Sequence, residues 1–236
     1  MQTAFAVAVM PLIVLLSMRR PDALEEYVGE PAYKSVDPDK PLVEQISVFE
    51  IAGRTFEIPK VYIQSNLGDK RVLDGISLLY VLPDYTSRAD FANRQEYEEA
   101  RNARRFAHMM FEPSAIRPSF DVMIHNMHRS VSKFESAGTF DGLQVEKWYR
   151  PHNGDLVVYS DVFLEKDETG KVVSWIDCAT RERPAKFPGC SHKFRDKGLL
   201  YTIYYNRTKY FEDWRAQRAS AIAFIDGVET SQQQQP

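Results

Sequence analysis

The sequence predicts an α+β fold: a mainly antiparallel β-sheet with a charged mid-chain helix and a C-terminal amphipathic helix packed on it, preceded by an N-terminal hydrophobic helix. Two observations support this prediction. The second half of the chain consists of short segments with alternating apolar residues separated by turn residues, which is typical of successive β-hairpins. Only two convincing amphipathic helices occur, whereas a parallel sheet would need strands and helices in regular alternation.

The composition is that of a folded chain without a nucleic-acid partner. The chain has 236 residues, of which 44% are hydrophobic and 12% aromatic, and this is enough to build one core. Its formal net charge of -3 provides no general attraction to nucleic acid, so any basic surface must be local.

Residues 1–20 are predicted to lead the chain to a membrane as a signal or anchor segment. The apolar run from Ala4 to Met18 would extend about 22 Å as a helix, which is short of the roughly 30 Å hydrocarbon core of a bilayer. No basic residue precedes the run and no A-x-A site follows it, so we expect no cleavage; a start codon assigned too far downstream would also explain the missing basic residues. Arg19 and Arg20 follow the run, and the positive-inside rule alone would place the rest of the chain in the cytoplasm.

The remaining chain divides into a linker at 21–45, a single α+β extracytoplasmic domain at 46–229 and a disordered polar tail at 230–236. Prolines among acidic and basic residues prevent a continuous helix in the linker and favour an extended connector. These prolines are Pro21, Pro31, Pro38 and Pro41.

The first part of the domain is predicted to be β-structure. Apolar residues alternate from Val48 to Ile51 and from Thr55 to Ile58 around an Ala-Gly-Arg turn, which predicts a hairpin. The nearly continuous apolar run GISLLYVLPDY predicts a central strand.

A charged helix is predicted from about Arg88 to Met110. Ser87 and Asp90 have the spacing of a capping box, and apolar residues that include Phe106, Ala107 and Met110 can share one side. Its arginines are candidate contacts for an acidic partner, although glutamates lie among them and a salt-bridged, solvated face is the alternative. The candidate contacts are Arg101, Arg104 and Arg105.

The segment DVMIHNMH contains a candidate metal site. Alternating apolar residues from Phe120 to Ile124 predict a strand, although the chain from His125 onward could equally be helical. On a helix, Asp121, His125 and His128 would share one face and could bind a divalent metal. On a strand, the two histidines would point to opposite faces and the site would not form.

The rest of the domain is predicted as a series of strands closed by a helix. The strand segments are GLQVEKWYR, DLVVYSDVFLEK, KVVSWIDC, SHKF and LLYTIYYNR. Alternation in the last of these directs Tyr201 and Tyr205 to one face and Tyr204 to the other. A closing amphipathic helix is predicted to start near Thr208.

Cys178 and Cys190 are the only cysteines, and three interpretations are open. Their spacing excludes a C-x-x-C redox motif, and a zinc site would need more ligands than the nearby His192. One cysteine ends a predicted strand and the other begins the next, which favours a disulfide that would contribute about 3 kcal/mol of stability. Two unpaired buried thiols, or a metal or redox role, are the alternatives. A disulfide would place the domain outside the cytoplasm.

The loop between the cysteines is rich in basic residues. If a disulfide closes it, the loop is held at both ends and presents its cations to an acidic protein partner. The candidate contacts are Arg181, Arg183 and Lys186.

Short motifs along the domain carry a resemblance to known proteins. They are GRTFEIPKVY with Gly53, Phe56, Ile58, Pro59 and Tyr62, the Leu82-Pro83-Asp84 turn, and the late residues Cys190, His192, Phe194, Tyr201, Tyr205, Arg207 and Trp214. In these the chain resembles a loose group of uncharacterised proteobacterial membrane-anchored periplasmic proteins. Some members of the group look like immunity partners of secreted toxins, so the resemblance implies a periplasmic domain with a protein partner.

These observations predict a function in binding. No G-x-S-x-G, Walker, G-x-G-x-x-G or H-E-x-x-H motif occurs, so we expect no catalytic activity and no cofactor. We expect a periplasmic protein-binding domain tethered to the inner membrane, such as an immunity or inhibitor protein for a secreted toxin; cleavage of the first segment would release it into the periplasm. The alternatives are a structural subunit of an envelope or secretion assembly, and a metal-dependent hydrolase.

Overall fold

A computed structural model of the chain describes residues 44–63, 72–87, 94–103, 105–182 and 188–230. The predicted N-terminal hydrophobic helix and nearly all of the predicted linker lie outside these residues. No helix within the described ranges is long and apolar enough to cross a membrane.

Three strands form a small antiparallel sheet, in the order β1-β2-β11. The strands are β1 (Ile46–Ile51), β2 (Arg54–Pro59) and β11 (Glu229–Thr230). Strands β1 and β2 form the predicted hairpin, which is therefore confirmed. Both residues of its turn have positive φ, 56° at Ala52 and 71° at Gly53, and two such residues are what a type I′ turn requires.

Eight strands form a large sheet in which every neighbouring pair is antiparallel, as the predicted fold class requires. The order is β3-β4-β10-β9-β8-β7-β6-β5. The strands are β3 (Ile76–Val81), β4 (Phe106–Pro113), β5 (Lys133–Phe140), β6 (Leu143–His152), β7 (Asp155–Lys166), β8 (Val172–Ala179), β9 (Gly189–Asp196) and β10 (Leu199–Asn206).

Helices pack on both faces of the large sheet. They are α1 (Arg94–Asn102), α2 (Phe120–Ser130), α3 (Arg207–Tyr210) and α4 (Trp214–Val228). The predicted closing helix is confirmed, but a break after Tyr210 divides it into α3 and α4.

Two apolar cores lie on opposite faces of the large sheet. The main core lies between the large sheet, the small sheet and α4, with Phe56, Phe194 and Trp214 among its members. The second core lies under α2, where Phe120 packs edge to face against Trp175. Because strand residues alternate between faces, β6, β7, β8 and β10 contribute residues to both cores.

The predicted helix from Arg88 to Met110 is wrong in its second half. Helix α1 ends at Asn102, and Phe106 to Met110 lie in β4. In β4, Ala107, Met109 and Phe111 alternate into the main core, so the period of the buried residues is two. Pairing with β3 and β10 therefore overrides the helical composition of this segment.

The predicted strand from Phe120 to Ile124 is also wrong, because these residues begin α2. Ser119 is the N-cap, and its hydroxyl accepts a hydrogen bond from the Val122 amide at 3.4 Å. Phe120 and Ile124, four residues apart, both enter the second core.

Strand β3 lies at an edge of the large sheet and not at its centre, where it was predicted. Its apolar residues are nevertheless buried, because short neighbouring segments cover this edge. Bridges join Leu78 to Ile63 and Val81 to Thr86.

Candidate functional site

The two cysteines form a disulfide, which confirms the favoured interpretation over two unpaired thiols. Cys178 and Cys190 are directly opposite each other on β8 and β9, with their Cα atoms 4.1 Å apart. His192 lies on the same face, fully buried, with Nε2 2.9 Å from the Ser174 hydroxyl. Burial, together with the nearby cations Arg218 and Lys193, lowers the pKa of His192 to about 3, so this histidine is neutral.

A buried ion pair fixes the start of the cysteine loop. The Arg207 guanidinium donates to the Asp161 carboxylate at 2.6 Å and also donates to the Ala179 carbonyl. The backbone amide of Arg181 donates to the same carboxylate at 3.3 Å. The Arg181 side chain is exposed, whereas Arg183 and Lys186 lie outside the described residues. The predicted contact between this loop and a partner stays a prediction.

The arginines of the predicted charged helix have local roles. Arg101 pairs with Glu98 one turn earlier, at 3.3 Å. Arg105 follows α1, and its Nε donates to the Leu82 carbonyl at 2.6 Å. Arg104 lies outside the described residues. These contacts do not test the predicted role of the three arginines as a partner surface.

The candidate metal ligands lie on helix α2 but do not form a metal site. The Asp121 carboxylate accepts a hydrogen bond from the Val172 amide at 3.2 Å. His128 bonds to the Glu146 carboxylate at 2.7 Å and stacks on the Phe134 ring at 3.7 Å. His125 is exposed. In the part of the chain that the structure describes, no group of three or more His, Cys, Asp or Glu side chains could hold a metal ion.

A polar and aromatic surface on the large sheet, not predicted from the sequence, has the features of a binding site. We call it the open face. Its residues come from β4, β6, β7, β8, β9 and β10, and they are Met110, Arg150, Tyr159, Asp177, Lys193 and Tyr204. Met110, Tyr159 and Tyr204 expose 43%, 44% and 42% of their surface.

Strand alternation directs these side chains away from the main core. Asp177 lies between Ile176 and Cys178, and both of these neighbours are in the main core. The same holds for Tyr204 and Met110, which have main-core residues on both sides in sequence, and for Lys193, which lies between the buried His192 and the core residue Phe194. Helix α2 covers the part of this face that forms the second core, and the open face lies beside that part.

Hydrogen bonds and ring contacts connect the open face. The Lys193 ammonium donates to the Ser191 hydroxyl at 3.2 Å and lies 4.8 Å from the centre of the Trp175 ring. The Arg150 guanidinium lies 4.1 Å from the centre of the Tyr159 ring, and its buried Nε has no hydrogen-bond partner among the described residues. The Ser160 hydroxyl favours the charged form of the Asp177 carboxylate and so acts to lower its pKa.

The charged groups of the open face are partly withdrawn from water. Burial raises the pKa of Asp177, although the positive charges of Lys193 and Arg150 act in the opposite direction. Burial lowers the pKa of Lys193, although the Asp177 carboxylate again opposes the shift. For both groups, desolvation therefore shifts the pKa more than their mutual attraction does.

The sequence predicted only part of this surface. Alternation in LLYTIYY predicted that Tyr204 lies on the face opposite Tyr201 and Tyr205, and this is confirmed. Asp177 and Lys193 were not identified, although each is a charged residue between buried residues, in WIDC and HKF. A charge at an alternate position of a strand that is otherwise apolar is the signal that could have located them.

The chain matches no protein-family model, and no curated protein matches its sequence. Two solved structures are similar to the chain, and the first of them shares its fold. One is Smlt3025, an immunity protein of the Stenotrophomonas maltophilia type IV secretion system, with a TM-score of 0.53 and 15% identity over 79% of this chain and 94% of that one. The other is the Neisseria meningitidis iron-regulated outer membrane lipoprotein FrpD, with a TM-score of 0.44 and 13% identity over 79% and 93%.

Proposed function

We propose that the chain is a non-catalytic protein-binding domain that neutralises a secreted toxin in the periplasm, as an immunity protein does. The observation that carries this proposal is the fold shared with Smlt3025 over most of both chains. The open face supports it through its exposed aromatic residues, because such residues are frequent anchors at protein interfaces.

The proposed compartment rests on the disulfide and the N-terminal sequence. A buried disulfide is typical of oxidising environments such as the bacterial periplasm. The apolar run in residues 1–20 supports export, and we propose that it also tethers the domain to the inner membrane. The alternative membrane orientation, indicated by Arg19 and Arg20, would leave the cysteines in a reducing compartment.

A growth assay tests this proposal. Each gene next to the one encoding this chain is expressed in a heterologous bacterium with export to the periplasm, with and without the full chain. We expect one neighbour to stop growth and the chain to restore it. The control is a chain with residues 1–20 deleted, which stays in the cytoplasm and should not protect. The proposal fails if a toxic neighbour is found and the oxidised, folded chain does not restore growth.

A further inference from the structure

The open face carries a positive charge that the described residues do not neutralise. Lys193 and Arg150 supply two cations, whereas Asp177 supplies one carboxylate. Neither cation forms an ion pair within the described part of the chain: Lys193 bonds to a hydroxyl and Arg150 stacks on Tyr159. A carboxylate from outside the chain would balance the charge.

Lys193 and Arg150 are already partly desolvated and restricted in their rotamers before a partner binds. Both side chains are half-buried, so part of the cost of removing them from water is already met in the folded chain. The stacking of Arg150 on Tyr159 and the contact of Lys193 with the Trp175 ring restrict their rotamers. Less conformational entropy is therefore lost when a partner binds. A carboxylate beside either cation would accept charge-assisted hydrogen bonds from it.

Apolar and aromatic side chains flank the two cations. Tyr159 lies on the Arg150 side, and Tyr204 and Met110 lie beyond Lys193. The face extends across six neighbouring strands, from β6 to β4, which corresponds to about 24 Å at the usual strand spacing. This width suits one side of a standard protein interface of about 800 Å² per partner.

We propose that the open face is the surface that binds the toxin, and that the toxin contributes aspartate or glutamate side chains that pair with Lys193 and Arg150. Tyr159, Tyr204 and Met110 flank these contacts and exclude water from them. The proposal rests on the function proposed above and specifies its surface and chemistry.

The other exposed surfaces are less suited to an acidic partner. The edge strand β5 is exposed over nearly its whole length, but its Lys133 and Glu135 already pair with each other. At the base of the cysteine loop, Lys147 already pairs with Glu182. Their charges are therefore neutralised within the chain, unlike those of the open face.

Site-specific photo-crosslinking in the bacterium that produces the chain tests the proposal. The photoreactive residue p-benzoylphenylalanine replaces Tyr204 in the full chain, or replaces Phe134 on β5 as a control of similar exposure. We expect an adduct from position 204 and none from position 134. The adduct should contain the protein whose toxicity the chain suppresses, and the crosslinked region should include an Asp or Glu.

Charge variants test the chemistry within the same experiment. Lys193→Met keeps the apolar stem but removes the charge, and we expect the adduct at position 204 to fall by about tenfold or more. Arg150→Met should act in the same direction. Lys166→Met, which changes an exposed lysine at the end of β7, should leave the adduct unchanged. Thermal melts of the purified variants show whether each of them folds, and the two open-face variants provide independent tests.

The outcomes separate the surface from the function. An adduct from position 134 but not from position 204 would overturn the proposed surface and leave the proposed function intact. An adduct at 204 that neither Lys193→Met nor Arg150→Met reduces would overturn the charged contact. No adduct at any position, from a chain that is folded, oxidised and protective in the growth assay, would also overturn the proposed surface.

Discussion

Breaking the buried ion pair between Arg207 and Asp161 should strongly destabilise the domain. Their side chains are only 5% and 10% exposed, and the pair joins β7 to the start of α3 and to the Ala179 carbonyl. Asp161→Asn removes the charge but keeps the shape, which leaves the guanidinium buried without a counter-charge. Removal of one partner from such a pair costs about 3–5 kcal/mol. We expect about 3 kcal/mol, because the amide oxygen can still accept one hydrogen bond.

Urea unfolding followed by circular dichroism measures this loss of stability. A loss of about 3 kcal/mol would lower the melting temperature by about 6–12 °C in a domain of this size. The matched control is Asp226→Asn, which breaks the exposed ion pair between Asp226 and Lys197. Solvent screens that pair, so the control should leave the urea midpoint nearly unchanged. If Asp161→Asn lowered the free energy of unfolding by less than about 1 kcal/mol, the interpretation that Asp161 compensates the buried charge of Arg207 would be wrong.

Three further predictions concern the disulfide, the buried histidine and the helix cap. Replacing both Cys178 and Cys190 with alanine should lower the free energy of unfolding by about 3 kcal/mol, from the sequence separation of 12, and reductant should then have no further effect. The His192 pKa is about 3 in the folded chain against 6.5 in the unfolded chain, so only the unfolded chain binds the proton between these values. The free energy of unfolding should therefore fall by about 1.4 kcal/mol per pH unit as the pH is lowered across this range, and His192→Gln should remove that contribution; an unchanged slope would contradict it. Ser119→Ala should cost about 1 kcal/mol through loss of the α2 cap, which urea titration would show, and Ser132→Ala, outside the cap, should cost less.

Local patterns in the sequence were sufficient for the hairpins but not for the segments whose structure depends on distant partners. The turn at Ala52 and Gly53 specifies its hairpin through residues that adjoin it. The segment from Phe106 to Met110 has the composition of the preceding helix, and it becomes a strand because β10, far along the chain, pairs with it. Propensity is a weak guide when such long-range pairing decides the structure.

The candidate site shows the same limit more clearly. The disulfide could be predicted, since Cys178 and Cys190 end and begin consecutive strands. The open face could not, because Arg150 and Tyr204 are far apart in sequence and lie on one face only through the order of the strands. Topology of this kind is not encoded in the spacing of any short motif.

Binding of the purified, oxidised full chain to the toxin identified by the growth assay tests the central claim most directly. Isothermal titration calorimetry should show a single class of sites with one chain bound to each toxin. The dissociation constant should increase about tenfold or more for Lys193→Met. An absence of binding by a folded, disulfide-bonded chain, at protein concentrations at which growth is restored in cells, would contradict the claim that the chain acts by binding the toxin.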